Sequence, residues 1–534
     1  MCAPRATRTP LMASLRRCFR NSVSGSVPLE IQNSPSFPKG KASGFEALSR
    51  RDFVKSALAL GAASLIPGCK NSGKNGSGQR IAIVGAGIAG LSAAHVLAKG
   101  GIEADLYEAG ARAGGRILTL QNIVAPGLFT EAGGEFIDTS HADMMSLAAE
   151  FGLKIQDAMG PEYSGLIANA WLFGGRLRSE AEVAAAIRDM TAAIQVDIGA
   201  LPDGIRAGTG GRAAELDAMS LEEYLGKRGV TGWLRDLLIA AYVSEFGLDA
   251  GEQSCLNLLT LVSLDTSAGR FDVFGESDER YRIEGGNQAL TDAMAAKYAP
   301  RIRLSHRLEA VSPDGEGYRL SFQSQNGAVE RTVDAVILAL PFTLLRSVDF
   351  RVKLPDAKRK AIAELGYGTN SKLFMGFSSR PWRKAGYSGN FFTDGAIQSG
   401  WDHTKVQPGP AGGITIFQGG SAGLALANGG PMAQAKNLAG PLEAVFPGIK
   451  AARNGNVGAF HWPSYPLSLG SYACYKPGQW TGLAGEEAKP VGNLFFAGEH
   501  CSPDFQGYMN GGAVTGREAG EAVLAKIRGQ EKRG

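Results

Sequence analysis

Three glycines and one glutamate between residues 85 and 108 have the types and spacing that bind a dinucleotide. Gly85, Gly87 and Gly90 form a G-x-G-x-x-G motif, and Glu108 follows at about 20 residues' distance. The first glycine allows a tight turn, the second lets the backbone approach a pyrophosphate, and the third lets a helix pack closely on a strand. The Glu108 carboxylate can accept hydrogen bonds from a ribose hydroxyl. These residues predict a dinucleotide site without saying which dinucleotide is bound.

The elements around the motif have to place it correctly. Residues 81–84 are an apolar, β-branched run typical of a buried parallel strand, residues 91–99 predict a helix, and residues 104–107 predict a second strand. The N-terminus of such a helix offers free N–H groups and a partial positive charge to phosphates. A lone G-x-G-x-x-G is weak in a chain with 73 glycines. The strand before it and the helix after it favour dinucleotide binding over a simple glycine-rich turn.

Bulk composition excludes several functions. The 534 residues, 44% of them hydrophobic, can bury one large or two medium cores. Residues 1–80 carry 13 of the 55 basic and 3 of the 51 acidic side chains, so the rest has 42 basic against 48 acidic and offers no electrostatic case for nucleic acid. Six cysteines without a C-x-x-C pair and six histidines without ligand spacing predict neither a disulfide framework nor a metal site.

The N-terminal region reads as a leader. Residues 1–48 predict a disordered leader or extension, and residues 49–79 predict a twin-arginine signal with its linker: Arg50 and Arg51 stand in S-R-R-x-F-x-K before a short apolar run. We therefore expect the twin-arginine export machinery as a partner and a periplasmic or secreted protein. An amphipathic helix with a basic end is the alternative. A lipid anchor at Cys69, in a partial lipoprotein box, also stays open.

Further elements are indicated along the chain. Arg112, Gly115 and Arg116, and then Gly133 and Gly134, predict glycine-rich loops close to a ligand, with the arginines facing phosphate oxygens. Helical apolar spacing over residues 142–151, 180–198, 221–227 and 232–242 predicts an inserted helical domain. Strands are predicted within 302–320, 335–341 and 494–500, a final helix over 511–528, and only alternating strands and loops over 346–487.

Two C-terminal motifs add a family resemblance. Ala497-Gly498-Glu499 and Gly507-Tyr508-Met509-Asn510-Gly511-Gly512-Ala513, taken with the N-terminal motif, resemble the flavin-containing amine oxidases, a family that includes monoamine, polyamine and L-amino-acid oxidases. The resemblance covers roughly residues 80–528. It implies FAD and an α/β fold, with a Rossmann-like FAD-binding domain assembled from separated segments at 80–140, 283–345 and 488–534. It also implies a mixed α+β substrate domain from 141–282, which holds the helical insert, and 346–487.

The resemblance assigns FAD contacts to particular positions. Glu108 would bind the adenosine ribose, Arg116 the phosphates, Leu308 the adenine through its backbone, and Glu499 the ribityl chain. The Tyr508–Met509 backbone would lie near the flavin ring, where a helix N-terminus stabilises the anionic reduced flavin. The full implied set is Gly85, Gly87, Ala89, Gly90, Glu108, Arg112, Gly115, Arg116, Gly133, Gly134, Leu308, Gly498, Glu499, Tyr508 and Met509.

Three positions would act on substrate. Lys372, on an otherwise apolar strand, resembles the family lysine that holds a water near flavin N5; a lysine there is costly without such a role. The alternative is an edge-strand lysine that reaches solvent. Tyr472 and Tyr508 match the paired tyrosines that flank the amine in monoamine oxidases, and two aromatic faces can orient an amine or attract its cation. Tyrosines that merely pack in a core are the alternative.

Departures from the family pattern narrow the prediction. Ser471 stands where monoamine oxidases carry the cysteine that bonds to flavin, so FAD is expected to be non-covalent, although Cys474 is close by in sequence. Residues 135–138 contain no arginine where matched amino-acid oxidases bind the substrate carboxylate. Gly110 also replaces an arginine often found near the ribose acid. The absence of an arginine at residues 135–138 argues against an amino-acid substrate.

The sequence therefore predicts an exported FAD-dependent amine oxidase. A primary or secondary amine passes a hydride to flavin N5, the imine is hydrolysed to an aldehyde or ketone, and O₂ or a periplasmic electron acceptor reoxidises the flavin, with H₂O₂ as the product from O₂. The alternatives are an L-amino-acid oxidase, a desaturase or porphyrinogen-type oxidase, and a flavin-binding partner without turnover. The oligomeric state is left open, a dimer included.

Overall fold

The computed structural model describes residues 79–531 of the chain. The predicted leader, the twin-arginine segment and Cys69 lie outside the described residues. Helices and strands are numbered here in chain order within that range.

The strands and helices have the following bounds. The strands are β1 Ile81–Val84, β2 Asp105–Tyr107, β3 Thr119–Gln121, β4 Phe129–Glu131, β5 Ile155–Asp157, β6 Ile167–Phe173, β7 Arg176–Arg178, β8 Tyr281–Ile283, β9 Ile302–Arg303, β10 His306–Asp314, β11 Gly317–Ser324, β12 Gly327–Val333, β13 Ala335–Leu338, β14 Asp349–Phe350, β15 Ser371–Phe377, β16 Tyr387–Thr393, β17 Ser399–Asp402, β18 Gly412–Gln418, β19 Arg453–His461 and β20 Leu494–Phe496. The helices are α1 Ile88–Lys99, α2 Ala142–Glu150, α3 Glu180–Gly199, α4 Arg212–Asp217, α5 Leu221–Lys227, α6 Gly232–Phe246, α7 Leu256–Leu261, α8 Gln288–Lys297, α9 Phe342–Leu345, α10 Asp356–Glu364, α11 Pro381–Lys384, α12 Gly420–Ala425, α13 Gly430–Val445, α14 Gln479–Leu483 and α15 Met509–Glu531.

The predicted buried strand β1 lies in the middle of a five-stranded parallel sheet. The strand order is β20-β13-β1-β2-β9, with Ile81 opposite Ala335 and Val336 opposite Leu494. All four residues of β1 are buried, as a strand covered on both faces requires. Helices α1 and α15 lie against each other on this sheet, where a side chain at Gly516 would meet the Ala89 carbonyl. The α/β prediction is confirmed.

A second, seven-stranded sheet carries the substrate side of the molecule. Its order is β19-β15-β18-β17-β16-β6-β7, and β15 lies between two antiparallel partners with all seven residues buried. Beside it, α3 to α7 contribute to one apolar core that also includes Trp171 and Phe392 of the sheet. The predicted helices of this region are present, and two of them start with a capping box, at Ser179 and Ser220.

One part of the secondary-structure prediction was wrong. Residues 346–487 were expected to contain only strands and loops, but α10 to α14 lie there, and α13 alone has 16 residues. Its glycines and two prolines have low helix propensity, so the sequence pattern did not predict a helix here. Pro431 occupies the first turn, where no N–H partner is lost, and Pro441 is inside the helix. Burial of one face, through residues such as Leu438 and Leu442, outweighs these weak propensities.

The parallel sheet takes its strands from the three segments predicted for the FAD-binding domain, and the seven-stranded sheet takes its strands from the two segments predicted for the substrate domain. The exact domain boundaries stay a prediction. Among residues 79–531, no helix is both long enough and apolar enough to cross a membrane. Over the same residues, no group of three or more histidine, cysteine or acidic side chains is arranged to hold a metal ion.

Candidate active site

The glycine motif forms a cradle between β1 and α1. Gly85 has a φ of 101°, and a Cβ there would lie 2.4 Å from the carbonyl oxygen of Ala339. A Cβ at Gly90 would lie 1.8 Å from the Gly85 carbonyl oxygen, so the predicted close packing is present. Gly87 differs, because its φ is −75° and the nearest atom to an added Cβ is the Gly115 Cα at 3.8 Å. The fold needs the first and third glycines, whereas the second leaves space for a ligand.

A cavity of about 1070 Å³ extends from this cradle to the seven-stranded sheet. It brings together every predicted site residue except Gly90, which packs behind the cradle, and Leu308. Leu308 is buried in β10 among apolar side chains and does not line the cavity, so its contact with adenine stays a prediction. The predicted residues that line the cavity are Gly85, Gly87, Ala89, Glu108, Arg112, Gly115, Arg116, Gly133, Gly134, Lys372, Tyr472, Gly498, Glu499, Tyr508 and Met509.

Glu108 is held rigidly at the end of β2. Its Oε2 accepts a hydrogen bond from the Ala86 N–H at 2.9 Å, and its Oε1 accepts one from the Gly110 N–H at 2.7 Å. A carboxyl group that accepts two backbone hydrogen bonds has a fixed orientation and retains lone pairs for a hydroxyl. The position fits the predicted role at a ribose.

Arg112 acts first on its own loop. Its guanidinium donates to three carbonyl oxygens, those of Ala113, Gly115 and Ile117, at 2.6 to 3.1 Å. The side chain therefore fixes the glycine-rich loop beside the cradle. A direct contact between Arg112 and phosphate stays a prediction.

An ion pair between Arg116 and Glu499 connects the glycine-rich segment with loops that come much later in the sequence. Arg116 Nη1 donates to Glu499 Oε1 and to the Ser471 carbonyl oxygen, both at 2.8 Å. The Glu499 carboxylate also accepts hydrogen bonds from the Gly507 N–H at 2.8 Å and the Ala473 N–H at 3.2 Å. These bonds hold the loop of Tyr472 and the loop of Tyr508 against the glycine-rich segment.

The side chains near the expected flavin-bonding position contain no thiol that faces the cavity. Ser471 lines the cavity, and its hydroxyl donates to Asn370 Oδ1 at 2.6 Å. Cys474 is buried, and its sulfur accepts a hydrogen bond from Asn257 at 3.5 Å, away from the cavity lining. This arrangement fits non-covalent binding of FAD.

Lys372 is enclosed by acceptors and aromatic rings. Its Nζ donates to the Gly133 carbonyl oxygen at 2.9 Å and to the Glu131 carbonyl oxygen and Glu135 Oε2, both at 3.1 Å. The ammonium also lies 5.2 Å from the centre of the Trp401 ring. Because β15 is an inner strand and the side chain is buried, the solvent-reaching alternative is wrong. The lysine is presented to the cavity.

Glu135 is the partner that sequence reasoning missed. Its carboxylate accepts hydrogen bonds from Lys372 and from Trp401 Nε1 at 2.9 Å, and it forms an ion pair with the fully buried Arg282 at 3.3 Å. Burial by itself would raise the pKa of this carboxyl, but Lys372 and Arg282 outweigh that effect and lower it. Arg282 also donates to the His403 carbonyl oxygen at 2.8 Å. The available signal was the position of Glu135 directly after the Gly133-Gly134 pair. The sequence prediction considered that position only for its lack of an arginine.

The two tyrosines converge on a second missed residue. The Tyr472 hydroxyl donates to the backbone carbonyl of Glu245, and the Tyr508 hydroxyl lies 3.4 Å from Glu245 Oε1. Both rings line the cavity, so they are not merely packed in a core. Glu245 belongs to α6, whose predicted end at residue 242 fell short of the observed Phe246. A lone acid in the apolar stretch L-L-I-A-A-Y-V-S-E-F was the available signal.

The residues present fit FAD. Helix α1 starts beside Gly87 with no side-chain cap and no acidic residue in its first turn, which leaves its N-terminus suited to a pyrophosphate. At the other end of the cavity, α15 starts at Met509 directly after Tyr508. Its N-terminus therefore points toward the predicted flavin end, where a partial positive charge suits a reduced flavin.

Comparison with known proteins gives the family. Residues 88–524 match the sequence model of the family described as flavin containing amine oxidoreductase. The chain belongs to this family. It is an FAD-containing oxidoreductase that acts on amines. AofH of Mycobacterium tuberculosis, whose name describes a flavin-containing monoamine oxidase, is 26% identical over 465 residues, covering 84% of this chain and 97% of the relative. Pseudooxynicotine dehydrogenase of a Pseudomonas species is 23% identical, covering 91% of this chain and 97% of the relative.

Other members of the family are similar as well. The L-amino-acid oxidase of Naja atra is 24% identical, covering 83% of this chain and 88% of the relative. Among solved structures, cyclohexylamine oxidase from Brevibacterium oxydans IH-35A superposes with a TM-score of 0.73 at 21% identity, and a putrescine oxidase variant with 0.72 at 21%. Each covers 84% of this chain and 99% of the solved one. The structures share the fold.

Proposed function

We propose that this protein is an amine oxidase that converts a primary or secondary amine into an imine, which water then hydrolyses to an aldehyde or ketone. For a primary amine with O₂ as acceptor, R–CH₂–NH₂ + O₂ + H₂O gives R–CHO + NH₃ + H₂O₂. Bound FAD would supply the two-electron acceptor, with flavin N5 as the site that accepts hydride from the amine Cα.

One observation carries the proposal: Lys372, Tyr472 and Tyr508 line the same cavity as the dinucleotide cradle. The two phenol rings orient the amine, and an ammonium approaching them is attracted by their faces. Lys372 lies in the wall of that cavity, where Glu135 and two carbonyls accept its three N–H bonds, and it holds a water near the flavin by exchanging one of these bonds. Fixing substrate and water in one geometry is the contribution of this chain, while the redox chemistry belongs to the cofactor.

The test uses the purified protein. We expect a yellow protein whose flavin is released by acid, bleaching of the flavin by at least one amine without oxygen, and peroxide on readmission of air. The screen should contain aliphatic and aromatic monoamines, diamines and amino acids. A yellow protein that none of the amines bleaches would refute amine oxidation.

The electron acceptor is tested by the same preparation. One relative carries the name dehydrogenase, so reoxidation by a periplasmic carrier is the alternative to O₂. Stopped-flow reoxidation of the amine-bleached flavin by O₂ and by a soluble dye acceptor distinguishes the two. Fast reaction with O₂ supports the oxidase assignment.

L-Amino-acid oxidation is the second candidate, and Arg270 is the observation that favours it. This arginine, in the loop between α7 and β8, lines the cavity and could receive a substrate carboxylate. Its Nε already forms an ion pair with Asp272 at 2.9 Å, and most of its side chain is exposed. Bleaching by amino acids that is lost in Arg270→Ala, with simple amines unreactive, would establish this candidate instead.

We further propose export through the twin-arginine pathway to the periplasm, with Cys69 as a candidate lipid anchor. The support is the S-R-R-D-F-V-K sequence around Arg50 and Arg51. Replacing both arginines by lysine should retain folded, flavin-loaded protein in the cytoplasm. Periplasmic recovery of that variant would refute the proposal. Labelling with a fatty acid, compared between the native protein and Cys69→Ala, tests the anchor.

A further inference from the structure

A carboxylate outside every recognised motif lies at the polar edges of the two active-site tyrosines. Glu245 stands near the end of α6 and lines the cavity. Its backbone carbonyl receives the Tyr472 hydroxyl, and its Oε1 lies 3.4 Å from the Tyr508 hydroxyl. One residue therefore contacts both rings and brings a charge to the place where the amine is expected.

Half-buried Glu245 differs from two fully buried carboxylates of the cavity wall. Glu135 and Glu499 each have a cationic partner, with nitrogen–oxygen distances of 3.1 Å to Lys372 and 2.8 Å to Arg116. Within residues 79–531, the groups that act most strongly on Glu245 are Asp138 and Tyr508, and neither is a cation. Over that range, no cationic side chain compensates its charge.

The charged groups nearest in effect to Glu245 are carboxylates, and the remaining ionisable neighbours are neutral tyrosines. Burial, followed by the charge of Asp138, raises the pKa of Glu245 to about 7, and burial with the charge of Glu245 raises the pKa of Glu279 to about 8. Lys405 acts on Glu279, while its Nζ donates to Asn390 Oδ1 at 2.8 Å. The ionisable groups facing Glu245 are Asp138, Tyr242, Glu279, Tyr472 and Tyr508. A partly desolvated carboxylate without a counter-ion is stabilised by an incoming cation.

Resting on the proposed amine oxidation, we propose that Glu245 receives the substrate as its ammonium ion and accepts a proton from it. An N–H bond of the ammonium breaks, its electron pair stays on nitrogen, and an O–H bond forms on the carboxylate. The neutral amine is then left between the carboxyl and the faces of Tyr472 and Tyr508. This step is needed because loss of hydride from the Cα requires the nitrogen lone pair.

A permanent cation tests the first half of the proposal on the flavin-loaded protein. Benzyltrimethylammonium has no nitrogen proton and no lone pair, so the pH dependence of its Kd reports only protein groups. Neopentylbenzene has the same shape without the charge. In the wild type we expect the Kd of the cation to rise about tenfold per pH unit below about pH 7, while that of the neutral compound stays constant. In Glu245→Gln the cation should lose this dependence.

The pH profile of turnover tests the second half. Without an acceptor, the enzyme must take the free amine, which is about 10⁻³ of a simple alkylamine at pH 7. In the wild type, kcat/KM should rise with pH only up to the pKa of Glu245 near 7 and then level off, because the carboxylate and the ammonium are both the major forms above it. In Glu245→Gln the proton must leave to solvent, so kcat/KM should keep rising about tenfold per pH unit toward pH 10. Glu245→Asp, which keeps the charge, should retain a flatter profile. Glu276→Gln is the matched control, since Glu276 also lines the cavity but is exposed and contacts neither tyrosine.

The outcomes separate the inference from the function on which it rests. If amines bleach the flavin but Glu245→Gln keeps the wild-type pH profile, or if the wild-type Kd of benzyltrimethylammonium does not change with pH, the role of Glu245 is refuted and the function stands. If no amine bleaches the flavin, the function itself fails. Should Glu245→Gln not fold, the wild-type cation titration and Glu245→Asp still decide the question.

Discussion

The Glu135→Gln variant removes one negative charge from a buried group of ions without changing its shape. In the native protein this carboxylate lies between Lys372 and Arg282, with the Trp401 N–H as a third donor. All three ionic side chains are almost completely buried. The amide can accept one of the hydrogen bonds, but its NH₂ group must then face another donor.

The size of the effect follows from what each cation keeps. Removing one partner from a buried ion pair costs about 3–5 kcal/mol, because the remaining charge is left without compensation. Lys372 would retain two carbonyl acceptors and Arg282 one, which favours the lower end of that range. We therefore expect Glu135→Gln to lower the free energy of unfolding by about 3 kcal/mol.

Urea unfolding at a fixed excess of FAD, followed by tryptophan fluorescence and circular dichroism, measures the change. Glu276→Gln, which removes an exposed charge at the same cavity, is the control and should stay within about 0.5 kcal/mol of the wild type. In the double variant Glu135→Gln/Arg282→Met the loss should be smaller than the sum of the two single losses. A single Glu135→Gln variant within about 1 kcal/mol of the wild type would refute the reasoning.

Three more predictions test the cofactor cradle and the buried charges. Lys372→Met should slow turnover or reoxidation about 10²-fold, as for the loss of one preorganised donor, with FAD still bound by absorbance; unchanged kinetics would remove Lys372 from the mechanism. Gly87→Val should fold but purify without flavin and therefore colourless, because an added Cβ has room while the two methyl groups of valine enter the cradle. Gly199→Ala, which has open space around it, is the control and should keep its yellow flavin. Burial raises the pKa of Glu131 to about 7, so the wild type should lose about 2.5 kcal/mol relative to Glu131→Gln as the pH rises from 5 to 8. Parallel stability curves of the two proteins would contradict this.

The parts of the site that sequence could predict are those set by local spacing. Gly85, Gly90 and Glu108 belong to one strand–turn–helix–strand unit, so their geometry follows from a few consecutive residues. Lys372 could be predicted because a charged side chain within an otherwise apolar strand is costly to bury and is therefore conspicuous in the sequence. Residues fixed by backbone geometry or by an obvious chemical anomaly are visible without the fold.

Residues paired across the fold could not be predicted in the same way. Glu135 and Arg282 are far apart in sequence and meet only because separate loops and strands converge on the cavity. Glu245 was hidden because its meaning depends on Tyr472 and Tyr508, which come from distant loops. Helix α13 was missed for a different reason, since packing overrides the weak helix propensity of its glycines and prolines.

The order of strands in the parallel sheet has a consequence for biosynthesis. β13 lies between β1 and β20, so the sheet that carries the dinucleotide cradle is complete only when Leu494, 413 positions after Ile81, has been synthesised. Contacts this distant in sequence form late, because loop closure costs entropy before pairing repays it. Glu499 and Tyr508 follow later still. A chain that stops before these residues therefore has no finished place for the flavin, and acquisition of colour reports that translation has passed Gly512, the last residue that lines the cavity.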